Sequence, residues 1–351
     1  MKTDFLKSLL SSSGLSGFET PVTKLIKEKW TSLADELSES PLGSLHGLKR
    51  GSGQEPRRSV MIATHMDAIG LIVSGISGEF LHVANLGGID IRVLPGQAVT
   101  VHSERGDLPG VIAQPPAHLL PDGEAKGAVA LKHLLIDVGF SARQVARKIK
   151  VGDTVSFATE PIEMSGGTLA GHSLDNRASV AALTLCLEEL QSRNHSWDVL
   201  AVASTQEEVG AQGARTSAFQ LRPDLAIAVD VTFAKGPGAS GWETFELGSG
   251  PTLGWGAVIH PFLYEQFKEL AEKLEMPFSI EMLPGSSGTD GDVLQQTAEG
   301  IPTIVVSIPI RYMHTPVELV AMKDIQRTAR LLTEFIAMLD TDFLEKIVWD
   351  D

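Results

Sequence analysis

His65, Asp175, Glu207, Glu208, Asp230 and His314 are residue types that bind hard cations or move protons. SVMIATHMD delivers His65 and Asp67 after an apolar run, VLAVASTQEE delivers Glu207 and Glu208, LAIAVD ends at Asp230, and IVVSIPIRYMH brings in His314. Asp175, in GHSLDNRASVAALTL, opens a helical pattern. Imidazole nitrogen and carboxylate oxygen suit zinc, cobalt and manganese, and a hydrolytic pair of ions needs a shared ligand to hold them about 3.5–4 Å apart. Asp175 is the candidate for that bridge, and its neighbours Asn176 and Arg177 are placed to steady the loop. Adjacent side chains of an extended or turning segment point apart, so one of Glu207 and Glu208 can bind metal while the other acts as a general base. Asp67 is placed to accept the second ring N–H of His65 and fix its tautomer.

Taken singly, each residue has an ordinary structural explanation: a satisfied buried histidine, a solvated Glu–Glu pair, a helix cap, a turn former. Polar groups at four separate strand ends are costly unless they serve one site, which favours the site. Short Val/Ile-rich runs without polar alternation read as parallel strands covered on both faces, and ligands gather beyond the carboxyl ends of such strands.

The expected fold class is therefore α/β, a mostly parallel sheet with helices on both faces. FLKSLL and ETPVTKLIKEKW read as two amphipathic helices ahead of it, separated by a Gly/Ser break. From Ala68 to about Gly166 the character changes to short alternating β segments between Gly, Pro and Asp turns, which suits a small β-barrel. SARQVARKIK and a strand near DTVSFATEP close this module. The division expected is 1–67 with 167–351 as the site-bearing domain and 68–166 as an inserted barrel domain.

At 351 residues the chain exceeds what one hydrophobic core usually serves. A net charge of −15 argues against nucleic acid or an anionic membrane as partner, and no apolar stretch approaches the ~20 residues of a membrane span. The opening MKTDFLKSLL, interrupted by Asp4 and Lys7, reads as a helix rather than a secretory signal. Cys186 is the single cysteine, within an apolar helical face, so a buried thiol and a reducing cytoplasm are expected. His46, His82, His102, His133, His172, His195 and His260 read as structural or surface residues. His118, in QPPAHLL, is one that could reach a neighbouring subunit's substrate.

THMDAIG, LGGIDIRVLPGQ, IKVGDTVSF, SLDNRAS, QEEVGAQGA, AVDVTFA, GTDGDV and IPIRYMHTPVE occur in this order. Together they resemble the metal-dependent aminopeptidases of metallopeptidase family 42. The resemblance implies a peptidase α/β domain with an inserted β-barrel and two divalent ions per subunit, zinc or cobalt. His65 and Asp230 would hold one ion, Glu208 and His314 the other, with Asp175 bridging, Glu207 as general base and Asp67 as partner of His65. It implies a homo-oligomer, a tetrahedral dodecamer in many members, that removes amino-terminal residues from short peptides with a metal-activated water. The sequence departs from the resemblance at DVTFAKGPG, where Lys235 stands in a stretch expected to carry another acid, so specificity does not carry over. That lysine either favours acidic substrate side chains or is solvated. Three other readings remain open: a hydrolase of acylated amino acids or blocked peptides, a glycoside hydrolase, and a scaffold without chemistry. An aromatic content of 6% weakens the glycoside hydrolase reading, and the full ligand set weakens the scaffold.

Overall fold

The computed structural model describes residues 3–120 and 127–347. The Val/Ile-rich runs form four neighbouring parallel strands in the order Asp198–Ser204, Ser59–His65, Leu225–Phe233 and Thr303–Arg311. Odd and even residues alike are buried along Ser59–His65, Leu225–Phe233 and Thr303–Arg311, so both faces are covered, which is why their sequences show no polar alternation. Helices cover them in two groups: Leu174–Glu189 packs on Met322–Met338, and Gln212–Leu221 packs on Gly291–Leu294. Met322–Met338 buries Ile325, Ala329, Leu332 and Ile336, the three- and four-residue spacing of one helical stripe.

The parallel arrangement is confined to this centre. Leu45–Lys49 and Glu36–Glu39 extend one side antiparallel, and Glu318–Ala321, Thr168–Gly171 and Ile162–Met164 extend the other. Thr252–Gly256 runs antiparallel to Thr303–Arg311 and carries Ser279–Leu283 beside it, so the 11-stranded sheet is mixed. Ile162–Met164 falls within the stretch assigned to the inserted module, yet it hairpins onto Thr168–Gly171 at the edge of this sheet. Gly166 and Gly167, both with positive φ, make that turn possible.

Six antiparallel strands close a separate barrel, in the order Gly70–Ser77, Phe80–Leu86, Leu135–Asp137, Gly106–Ala113, Ala98–Ser103 and Thr154–Phe157. Leu71, Val73, Leu81, Val99, Val101, Ile136 and Val155 fill it. A buried Val or Leu contributes about 1.5–3 kcal/mol over an exposed one, so the barrel has a stabilising core apart from that of the sheet. Asp4–Leu10 and Thr20–Trp30 are the two leading helices.

Candidate metal centre

The register of the parallel strands sets the floor of the site. Ser204 pairs with His65 and Asp230 pairs with Ser307, which brings residues from four strands to one level across the sheet. Asp230 does not end its strand, which runs on through Val231 and Thr232 to Phe233. Glu207 and Glu208 follow Ser204 on a tight turn, and His314 follows Thr303–Arg311 after a short connection. Ser173, Gln206 and His314 have left-handed backbones, with φ of 69°, 58° and 63°. Each is costly for a non-glycine residue and lies at, or within two residues of, a ligand-type side chain, as expected where surrounding structure forces the chain to aim a functional group.

Asp175 lies between the two histidines. Its Oδ1 is 3.1 Å from His65 Nε2 and its Oδ2 is 3.2 Å from His314 Nε2, so each oxygen faces a different imidazole. Asp230 Oδ1 lies 3.6 Å from His65 Nε2, and Glu208 Oε2 lies 3.8 Å from His314 Nε2. Two donor sets result, His65–Asp175–Asp230 and Asp175–Glu208–His314, each with ligand atoms within 4.8 Å of one another. Glu207 belongs to neither set, but its Oε2 is 3.7 Å from His65 Nε2.

Burial and crowding favour the protonated form of several of these acids in the absence of added positive charge. Desolvation and the neighbouring carboxylates push Glu208 well above the usual acid range and Glu207 up to about 9, and desolvation also raises Asp230. Asp175 moves the other way, because both imidazoles hydrogen-bond its ionised form. Glu208 Oε1 is buried without a hydrogen-bond partner. Imidazoles, crowded buried carboxylates and an orphaned carboxylate oxygen fit divalent cations, which relieve the repulsion and satisfy that oxygen.

Asp67 is fully buried and serves the turn as much as the imidazole. Its carboxylate accepts from the Glu207 and Glu208 backbone N–H groups at 3.0 and 3.3 Å and from Ser16 Oγ at 2.6 Å. His65 Nδ1 is closer to the Asp67 main-chain carbonyl, at 3.2 Å, than to its carboxylate, at 3.5 Å. Arg177 is completely buried and donates to the carbonyls of Leu9, Ser12, Gly14 and Met66, clamping the amino-terminal segment under the site. Asn176 Nδ2 donates to Val229 O at 2.9 Å.

Comparison with known proteins gives this geometry a relationship. Residues 43–331 match the family model described as M42 glutamyl aminopeptidase. The chain belongs to the M42 aminopeptidase family. It is accordingly a hydrolase of the aminopeptidase type. A lysyl aminopeptidase of Pyrococcus furiosus is 35% identical, covering 93% of this chain and 94% of its own. A TET aminopeptidase from the marine sediment archaeon Thaumarchaeota archaeon SCGC AB-539-E09 superposes with a TM-score of 0.92 at 31% identity, covering 99% and 98% of the two chains. Pyrococcus horikoshii TET1 peptidase, which can assemble into a tetrahedron or a large octahedral shell, gives 0.84 at 29% identity over 96% and 99%.

In this M42 chain two buried acids of the site escaped the sequence reading. Glu318 accepts the His314 backbone N–H at 3.0 Å and the Asp175 backbone N–H at 3.1 Å, joining the segments that carry two ligands. The only signal was an acid opening the apolar strand ELVA, four residues after His314. Asp290 accepts from Ser204 Oγ at 2.5 Å, and burial pushes it up to about 7. Within SSGTDGD it looks like a turn residue. Lys235 is exposed enough to pair with Glu246 at 2.9 Å and does not line the cavity over the site. His118 sits on an exposed short turn, also outside that lining. His102 bridges Asp107 and Ser156 on the barrel, at 2.8 Å to each. Cys186 is buried, its thiol pushed up to about 12.

Proposed function

We propose that this chain is a di-metal aminopeptidase acting on short peptides, with His65, Asp175 and Asp230 holding one divalent ion and Asp175, Glu208 and His314 the other. The observation that carries this reading is the Asp175 carboxylate, whose two oxygens face two imidazoles. Zinc or cobalt suits the donors. When bound, such a pair supplies Lewis acidity to the scissile carbonyl and lowers the pKa of a water molecule.

The chain's own residues do the remainder. Glu207 takes the proton of the attacking water and returns it to the leaving amine. Its proton affinity, high in the bare cluster, falls as positive charge enters the site, bringing it toward the working range of a general base. Asp67 holds Glu207 and Glu208 in place through their backbone N–H groups, so ligand and base keep a fixed relation. The cavity over the site, about 460 Å³ and rich in carboxylates, suits a free amino terminus of a short peptide. Phe233 is the aromatic residue among those lining it, and the carboxylates there are gathered around shared imidazoles rather than set opposite one another as a glycoside hydrolase needs.

The TET relatives support a homo-oligomer, with a tetrahedral dodecamer as the assembly proposed. The buried, unpaired Cys186 suits the cytoplasm, and no helix among the described residues is long and apolar enough to cross a membrane. Glu207→Gln tests the division of roles: metal content should match wild type while turnover falls roughly a hundredfold to ten-thousandfold. Metal lost along with activity would make Glu207 a ligand and end this assignment.

A further inference from the structure

The cavity over the metal centre contains one carboxylate that the chemistry above does not use. Glu281 lies on Ser279–Leu283, where alternation places Ile280 and Met282 outward, each 47% exposed, and Glu281 and Leu283 inward against the cavity. This reverses the usual order of an edge strand, with the charge inside and the apolar side chains in solvent.

Glu281 is held in a fixed orientation. Thr232 Oγ1 donates to its Oε1 at 2.5 Å and Thr252 Oγ1 to its Oε2 at 2.6 Å. A carboxylate accepts about four hydrogen bonds, so half its capacity remains. Among the described residues no Lys or Arg pairs with it, and Lys235, the nearest candidate in sequence to Thr232, is engaged by Glu246. The charge balance of the cavity leads to the same point. Two divalent ions offset the four carboxylates of Asp175, Glu207, Glu208 and Asp230, which leaves the charge of Glu281 without a counterpart.

Its distance from the chemistry matches a long basic side chain. Thr232 is two residues beyond Asp230 on the same strand, hence on the same face and about 7 Å farther along it. A lysine side chain reaches about 6 Å from its Cα. We infer that Glu281, held by Thr232 and Thr252, selects peptides whose amino-terminal side chain is basic, receiving the ammonium or guanidinium group of a lysine or arginine. The inference rests on the aminopeptidase reading for the position of the substrate's amino terminus. The same geometry leaves an acidic amino-terminal residue facing a like charge with no cation to meet it.

The test compares metal-loaded wild type and Glu281→Gln on the p-nitroanilides of lysine, arginine, norleucine and glutamate. Norleucine has the carbon chain of lysine without its charge. In wild type, kcat/KM for lysine should exceed that for norleucine at least about tenfold, and Glu281→Gln should reduce the ratio by a similar factor. A purely structural role would lower both substrates together and leave the ratio unchanged, and that result would overturn the inference. So would a wild type that favours norleucine or glutamate. A parallel calorimetric titration with lysinol and norleucinol, neither of which can be hydrolysed, separates this question from activity. If no anilide is turned over but lysinol binds more tightly than norleucinol, and the difference disappears in Glu281→Gln, the activity reading fails and the role of Glu281 stands. Equal binding of the two alcohols by wild type would refute it.

Discussion

Asp175 and Asp67 do different work with the same functional group. Asp175 turns both oxygens toward imidazoles, whereas Asp67 gives both to backbone N–H groups that hold the neighbouring acids in place. The cost of collecting so many acids shows in their protonation. Glu207 is raised to about 9 and Asp290 to about 7, and Glu208 and Glu318 are also raised, all chiefly by burial. A group whose folded-state pKa is raised contributes stability below its unfolded value and loses it as pH rises through the folded value. The melting temperature of the chelated protein should therefore fall between about pH 6 and pH 9, the range in which Asp290 and then Glu207 ionise. Cations displace those same protons, so the rise in melting temperature on adding zinc should be larger at pH 8.5 than at pH 6. Scanning calorimetry at the two pH values measures both effects; a chelated protein whose melting temperature is flat or rises over this range would contradict the ionisation states described. His65, Asp175 and the Glu–Glu pair were legible in the sequence because each stands beside a strong element signal. Glu318, Asp290 and Glu281 were not, because an acid in a strand or turn looks solvated until its partners are known. Those partners lie as far as 143 residues away, as with Asp175 and Glu318.

The elements that aim these side chains include the barrel, which passes its Phe80–Leu86 strand directly into a Gly87–Gly88 pair over the site. A Cβ on Gly87 would come within 2.7 Å of Ile69 Cγ2 and 3.2 Å of Glu208 Oε2, and one on Gly88 within 3.1 Å of His314 Nδ1. Gly87 also has a φ of +77°. The two glycines let the barrel's edge close over Glu208 and His314 without displacing them. Gly87→Val should therefore reduce occupancy of the ion proposed for Asp175, Glu208 and His314 and lower activity on the order of a hundredfold, through a ligand shift of about 1 Å. Metal analysis of the purified variant checks this, and full occupancy with wild-type turnover would show that the barrel edge does not constrain the site. The central parallel strands were legible from their unbroken apolar runs and the barrel from its turns and alternation. The antiparallel flanks were not, because short strands such as Glu318–Ala321 and Ile162–Met164 carry too few residues for a period to show. The continuation of Leu225–Phe233 past Asp230 was hidden for a different reason. A charged residue reads as the end of an apolar run, whereas here a buried site accepts it mid-strand.

At the scale of the molecule, a chain with net charge −15 lines a cavity of about 460 Å³ with Asp175, Glu207, Glu208, Asp230 and Glu281. The surrounding negative potential favours approach of a substrate's ammonium group over a carboxylate. The likeness to TET aminopeptidases extends over nearly the whole chain, in keeping with a site assembled from residues 65 to 314 that needs both the sheet and the barrel edge. The central claim, a metal-dependent enzyme that works only from a free amino terminus, is tested most directly by mass spectrometry of products from matched peptides. Each peptide is supplied with a free and with an acetylated amino terminus, and the chelated protein is compared with protein resupplied with zinc or cobalt. The account predicts stepwise loss of single amino-terminal residues, from free termini only and with metal only. Cleavage of the acetylated peptides, or cleavage that survives chelation, would contradict it.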